Sequence, residues 1–160
     1  MATKGKESTL TLPSPTTIQM SRVFDAPHEL VWKALTDPQL IPHWWGQRAN
    51  KTIVDTMDVR VGGAWRYREI APDGTEHAFR GEYRELRRPE RIVYTFEYEP
   101  MAGHIVTDGV TLEDLGDRTR IVVTSTFAST EDRDGMLQSG MESGANESWD
   151  RLAELLATLK

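Results

Sequence analysis

GMLQSGMESGANESWDRLAELLATLK, residues 135–160, decides the fold. Leu137, Met141, Ala145, Trp149, Leu152, Leu156 and Leu159 recur at spacings of four and three, which draws one apolar stripe along a helix. Upstream, Ser129 followed by Asp132 is the signature of a capping box, so the reading is one long helix that closes the chain. Its halves differ in kind. Gly135, Gly140, Gly144, Ser139 and Ser143 crowd the first half, where each glycine costs about 1 kcal/mol relative to alanine. The second half is rich in leucine. A stripe built this way predicts a core that is solid at one end and thin-walled, even hollow, at the other.

The stripe needs a covering surface, and the preceding segments supply one with a period of two. AWRYREI (64–70) sets Trp65 and Tyr67 against Arg66 and Arg68. HAFRGEYREL (77–86) places His77, Phe79, Gly81 and Tyr83 on one face, and RIVYTFEYE (91–99) does the same with Ile92, Tyr94, Phe96 and Tyr98. Further strands are expected over 16–25, 52–59, 104–114 and 118–127. Asp73-Gly74 marks a hairpin, Gly62-Gly63 a bulge or tight turn, and Leu115-Gly116-Asp117 another turn. After the first strand, APHELVWKAL and Asp37-Pro38 start two short helices, the second reaching towards Trp44. Alternation of this kind describes an antiparallel sheet with one covered and one wet face. The fold class is therefore α+β: a curved antiparallel sheet of about six or seven strands wrapped around the long C-terminal helix. Residues 1–15, polar and carrying Pro13 and Pro15, are expected as a flexible tail, and residues 16–160 as a single domain.

Composition narrows the function. A formal charge of −6 argues against a nucleic-acid surface, and glutamate breaks the one basic run, Arg84 to Arg91, into a solvated turn. No cysteine is present, so disulfides, thiolate metal sites and a cysteine nucleophile are excluded. No apolar run is long enough to span a bilayer, the start lacks the apolar stretch of a signal peptide, and the expected location is cytoplasmic. His28, His43, His77 and His104 lack metal-ligand spacing, so neither a metal nor any other cofactor is expected.

In content and order, FDAPHELVWKALTDPQLIPHWWG, DVRVGGAWRY, GEYREL, PERIVYTFEY, VTLEDLGDRTRIVVTSTF and GMESGANESWDRLAELL resemble one family over residues 16–159. It is the branch related to activators of the heat shock protein 90 ATPase, within the START-like superfamily of polyketide cyclases, lipid carriers and birch-pollen-type proteins. The resemblance implies a helix-grip fold with a cavity between sheet and helix. It carries over no shared catalytic set.

The candidate site is therefore the cavity wall. Trp65, Tyr67, Phe79, Tyr83, Tyr94 and Phe96 share a sheet face, His77 lies in phase with Phe79, and Met136 and Met141 face them from the glycine-rich helix half. Trp44 and Trp45 cannot share a face, so either one is buried and the other sits at a rim or cavity mouth, or both are packing residues at a helix end. The cavity is either open or closed by Trp65 and Tyr67. Ile92, Phe127 and Trp149 are expected as plain core. Alternation could turn Glu69 and Asp108 inward towards His77, a carboxylate–histidine pair suited to cyclase-type chemistry; the reading preferred is that strand ends and bulges let them reach solvent. Three functions stand at this point. The first is binding or carriage of a small hydrophobic molecule, aromatic and polyketide-like ones included. The second is a chaperone ATPase cofactor role. The third is a cyclase- or hydrolase-type enzyme on a bound hydrophobic substrate. No nucleic-acid or membrane partner is expected.

Overall fold

A computed structural model describes residues 8–160. The chain order is β1 (Thr9–Thr11), β2 (Thr17–Phe24), α1 (His28–Thr36), β3 (Lys51–Met57), β4 (Ala64–Ile70), β5 (Glu76–Arg87), β6 (Arg91–Tyr98), β7 (Val106–Asp114), β8 (Thr119–Thr126), α2 (Thr130–Gln138) and α3 (Met141–Leu159). A short 3-10 turn, Ile41–His43, follows α1. The strands form one sheet in the order β1-β2-β8-β7-β6-β5-β4-β3, every pair antiparallel. Bulges at Val54/Thr56 and Tyr83/Glu85 shift the register and add local bend. The result is the helix-grip architecture that the two sequence periods imply.

Strict alternation drives the burial. On β2, Ile18, Met20, Arg22 and Phe24 all point inward. Arg22 is the polar exception: its guanidinium lies over the Phe24 ring and donates to Asp150 Oδ1 on α3 at 2.7 Å, so an ion pair joins the helix to the sheet. Trp149 meets Phe24 edge-on at 5.7 Å. Below it Leu152 and Leu156 are inaccessible, as are Val31, Ile41 and Ile121. Methylene burial on this scale is the main stabilising contribution, on the order of 2 kcal/mol for each such side chain. The outer face is charged instead; Arg66 bonds Glu99 and Asp55, and Arg68 bonds Asp55 and Glu76.

Two expectations are corrected. The long terminal helix is two helices. Gly140 adopts φ +85°, a left-handed conformation that ends one helical run before α3 begins. The capping box does open α2, with the Asp132 amide donating to Ser129 Oγ at 3.0 Å. The described residues also form eight strands. Thr9–Thr11, within the expected tail, pair with Gln19–Ser21 of β2. A polar edge strand this short has no alternation to announce it and is held by main-chain hydrogen bonds to an open sheet edge. Residues 1–7 of that expected tail lie outside the described residues.

The turns match their sequence signals. Asp73-Gly74 closes the β4–β5 hairpin. Gly62-Gly63 forms a turn whose Gly62 amide donates to the Tyr83 carbonyl while the Tyr83 amide donates to Gly63. Among the described residues no helix is long and apolar enough to cross a membrane.

Candidate functional site

Between the concave sheet face and the helices lie two adjoining cavities. The larger, about 390 Å³, is walled on the helix side by Met136, Met141, Gly144, Ala145 and Ser148, and on the sheet side by Phe79, Phe96, Val106 and Phe127 among others. The smaller, about 160 Å³, lies deeper against Trp65, Tyr67, Tyr83 and Ile92. Trp44, Trp45, Tyr94, Phe96, Asp108, Val123 and Trp149 line both. The hollow sits where α2 and the first turns of α3 offer only small or flexible side chains.

The aromatic wall is built by strand pairing. Tyr83 faces Tyr94, and Tyr67 faces Phe79, in direct register. Trp45 meets both Tyr67 and Phe79 at 5.1 Å, and Phe79 stacks on Phe96 at 5.5 Å. Trp65 lies across β5 and donates from Nε1 to the Thr95 carbonyl at 3.2 Å. This crossing requires Gly81: a Cβ there would stand 2.4 Å from that Nε1 and 1.8 Å from the Thr95 oxygen.

The segment Trp44 to Asn50 covers one side of the larger cavity and is tied down on three sides. Trp44 Nε1 donates to the Ala34 carbonyl at 2.9 Å. Ser148 Oγ accepts from the Gly46 amide at 3.0 Å, and the Arg48 amide donates to Glu147. Arg151 donates to the Gly46 carbonyl at 3.0 Å. From the sheet, Glu69 Oε2 accepts from the Gln47 amide and Asn50 Nδ2, each at 2.8 Å. Thr52 Oγ1 donates to the Trp45 carbonyl at 2.6 Å.

All the wall residues expected from sequence line one cavity or the other, with one exception. His77 lines neither; its Nδ1 lies 2.7 Å from the Tyr98 hydroxyl, which gives the ring a partner at the end of β5. Trp44 is buried and Trp45 only partly so. Ile92, Phe127 and Trp149, expected as plain core, are buried and also face the void. Glu69 and Asp108, expected to reach solvent, are each only 8% exposed and line the larger cavity. Neither sits at a frayed strand end; alternation simply continues through them. Sequence reasoning passed over Gln47, Ser125 and Ser148. Ser125 comes into play because β7 and β8 pair it with Asp108, a register that no single-strand pattern reveals.

A match to the family model for Activator of Hsp90 ATPase homolog 1-like protein covers residues 25–157. The chain belongs to that family. Solved structures with the same fold include a Rhodobacter sphaeroides protein, 25% identical, with TM-score 0.89, covering 95% of this chain and 99% of that one. An Arthrobacter aurescens protein is 26% identical with TM-score 0.86, covering 94% and 91%. A Chromobacterium violaceum protein is 31% identical with TM-score 0.79, covering 89% and 98%. No curated protein matches the chain.

In this member of the Hsp90-activator-like family, the deep cavity carries a file of polar tips. Burial pushes the Tyr67 and Tyr94 hydroxyls well above their usual range and Tyr83 up to about 12, so all three are neutral donors at physiological pH. Burial also pushes the Asp108 carboxyl up to about 6, with hydrogen bonds from Ser125 and Tyr94 pulling it partly back. Ser125 Oγ donates to Asp108 Oδ1 at 2.5 Å. The cavity is thus an aromatic chamber with one poised carboxyl and a few fixed hydroxyls.

Proposed function

We infer that this chain binds a small, largely apolar molecule in the paired cavities between its sheet and the α2–α3 helices. The observation that carries this reading is the larger cavity itself. Its volume of about 390 Å³ falls within the range of small-molecule sites, and its walls are mostly aromatic and aliphatic with a few converging polar groups. A void inside a core sacrifices dispersion contacts, so a fold that keeps one this large gains from filling it. Tyr67, Tyr83, Tyr94 and Ser125 give such an occupant its orientation, while ring shape sets its outline.

The enzyme reading loses its strongest support, because among the described residues no histidine lines either cavity and His77 is engaged with Tyr98. The chaperone-cofactor reading rests on the family description. Among the described residues the large exposed apolar side chains, Leu12, Val61, Met101, Ile105 and Leu115, are spread over four connections of the sheet, only Met101 and Ile105 sharing one.

The test is titration with N-phenyl-1-naphthylamine, an uncharged probe that fluoresces in apolar surroundings. Saturable enhancement at one site per chain is expected, and Ala145→Trp, which fills the larger cavity from α3, should abolish it in a folded protein. A linear, unsaturable response of the native protein would overturn the reading.

A further inference from the structure

We propose that the natural occupant is an apolar organic cation, an amine whose protonated head rests against Asp108 within a ring of aromatic faces. This inference rests on the binding reading above and adds the chemical class of the ligand.

Three observations converge on it. First, the charge of the lining is one-sided. Glu69 and Asp108 face the larger cavity, and among the described residues no lysine, arginine or histidine lines either one. The nearby cations are committed elsewhere: Arg22 to Asp150, Arg151 to main-chain carbonyls of the Trp44–Asn50 segment. An anionic amphiphile would therefore lie beside carboxylates with no countercharge. Second, Asp108 stands at the junction of the two cavities, and the residues that share this junction are Trp44, Trp45, Tyr94, Phe96 and Trp149, with Val123. Ring faces carry negative potential and attract a desolvated ammonium, tryptophan most strongly. A carboxyl that shares its cavity lining with these aromatic rings is complementary to a cation.

Third, the carboxyl is built as a fixed acceptor with an unmet need. Ser125, its register partner across β7 and β8, holds Oδ1 at 2.5 Å. A carboxylate that is only 8% exposed and has no cation beside it is costly to ionise. Burial raises its pKa, and the hydrogen bonds from Ser125 and Tyr94 offset that only in part. A bound ammonium supplies the countercharge, and the two charges then stabilise one another in a dry site. Glu69 has a different task. Its Oε2 is already occupied by the Gln47 amide and Asn50 Nδ2, so it positions the covering segment and leaves recognition of the head group to Asp108.

The experiment displaces N-phenyl-1-naphthylamine with three probes of one shape: 2-naphthylmethylamine, 2-naphthylmethanol and 2-naphthoic acid, at pH 7.5. The amine is expected to bind about tenfold or more tightly than the alcohol, as a charge-assisted hydrogen bond would give, with the acid weakest. Asp108→Asn should bring the amine and the alcohol to parity. An alcohol that binds the native protein as tightly as the amine overturns the proposal and leaves the binding reading standing. An amine preference that survives Asp108→Asn overturns the assignment to Asp108. Failure of all three probes to displace a bound fluorophore overturns the proposal and leaves the binding reading standing, whereas failure of the fluorophore to bind overturns the binding reading itself. The native protein alone decides between cation and neutral ligand, so the test does not depend on the variant folding.

Discussion

The two halves of α3 follow the same spacing rule and do opposite things. From Trp149 onward the stripe is Trp149, Leu152 and Leu156, large side chains driven into the sheet and α1 with almost no exposed surface. Before it the stripe is Met141 and Ala145, flanked by Gly144 and Ser148, and the space they leave is the larger cavity. Helical periodicity decides which residues point inward; side-chain volume decides whether the inward space is filled. A fold anchored by one half of a helix leaves the other half free to line a cavity, which is a division of labour that stability alone would not select.

The comparison can be broken most forcefully in the solid half. Leu152→Ala should cost about 3 kcal/mol or more in urea unfolding, whereas Met141→Ala, half-buried beside the void, should cost under about 1 kcal/mol. Equal losses would mean that the helix is packed uniformly.

Asp108 gives the next largest effect. Burial raises its carboxyl from the ordinary 3.8 to about 6, so the folded protein holds a proton that the unfolded chain releases at lower pH. Folding is therefore unpenalised below about pH 4, loses stability as pH rises towards 6, and carries the full cost above that. Asp108→Asn should stabilise the empty protein by about 1 to 3 kcal/mol at pH 7.5, with the gain fading at pH 4. A variant less stable than the native chain at pH 7.5 would contradict the account of this carboxyl.

Smallest is the gain expected at Gly144. A Cβ added there meets nothing within 4 Å, so Gly144→Ala should raise stability by up to about 1 kcal/mol through helix propensity alone. Destabilisation on heating would show that the hollow half is tighter than described.

Much of this was legible in the sequence because two periods, near 3.6 and 2, identify inward faces without any knowledge of partners. The aromatic wall from Trp65 to Phe96, the turns and the contrast between the two helix halves all follow from them. The break at Gly140 was visible only as one glycine among three, since sequence does not reveal which of them adopts a positive φ. β1 was invisible because Thr9–Thr11 are specified by the edge they pair with. Asp108 was misjudged for a physical reason: alternation placed it inward, but the general cost of burying a carboxyl argued otherwise. Its tolerance depends on Ser125, which arrives from another strand.

The chain's five tryptophans provide the most direct measurement of the central claim. Trp44, Trp45, Trp65 and Trp149 line the cavities, while Trp32 is buried on α1 and lines neither. In a proton–nitrogen correlation spectrum recorded during titration with N-phenyl-1-naphthylamine, the indole N–H signals of the first four should move together to one saturation point while that of Trp32 stays in place. Signals that do not move, or a Trp32 signal that moves as far as the rest, would contradict a ligand-binding cavity between sheet and helix.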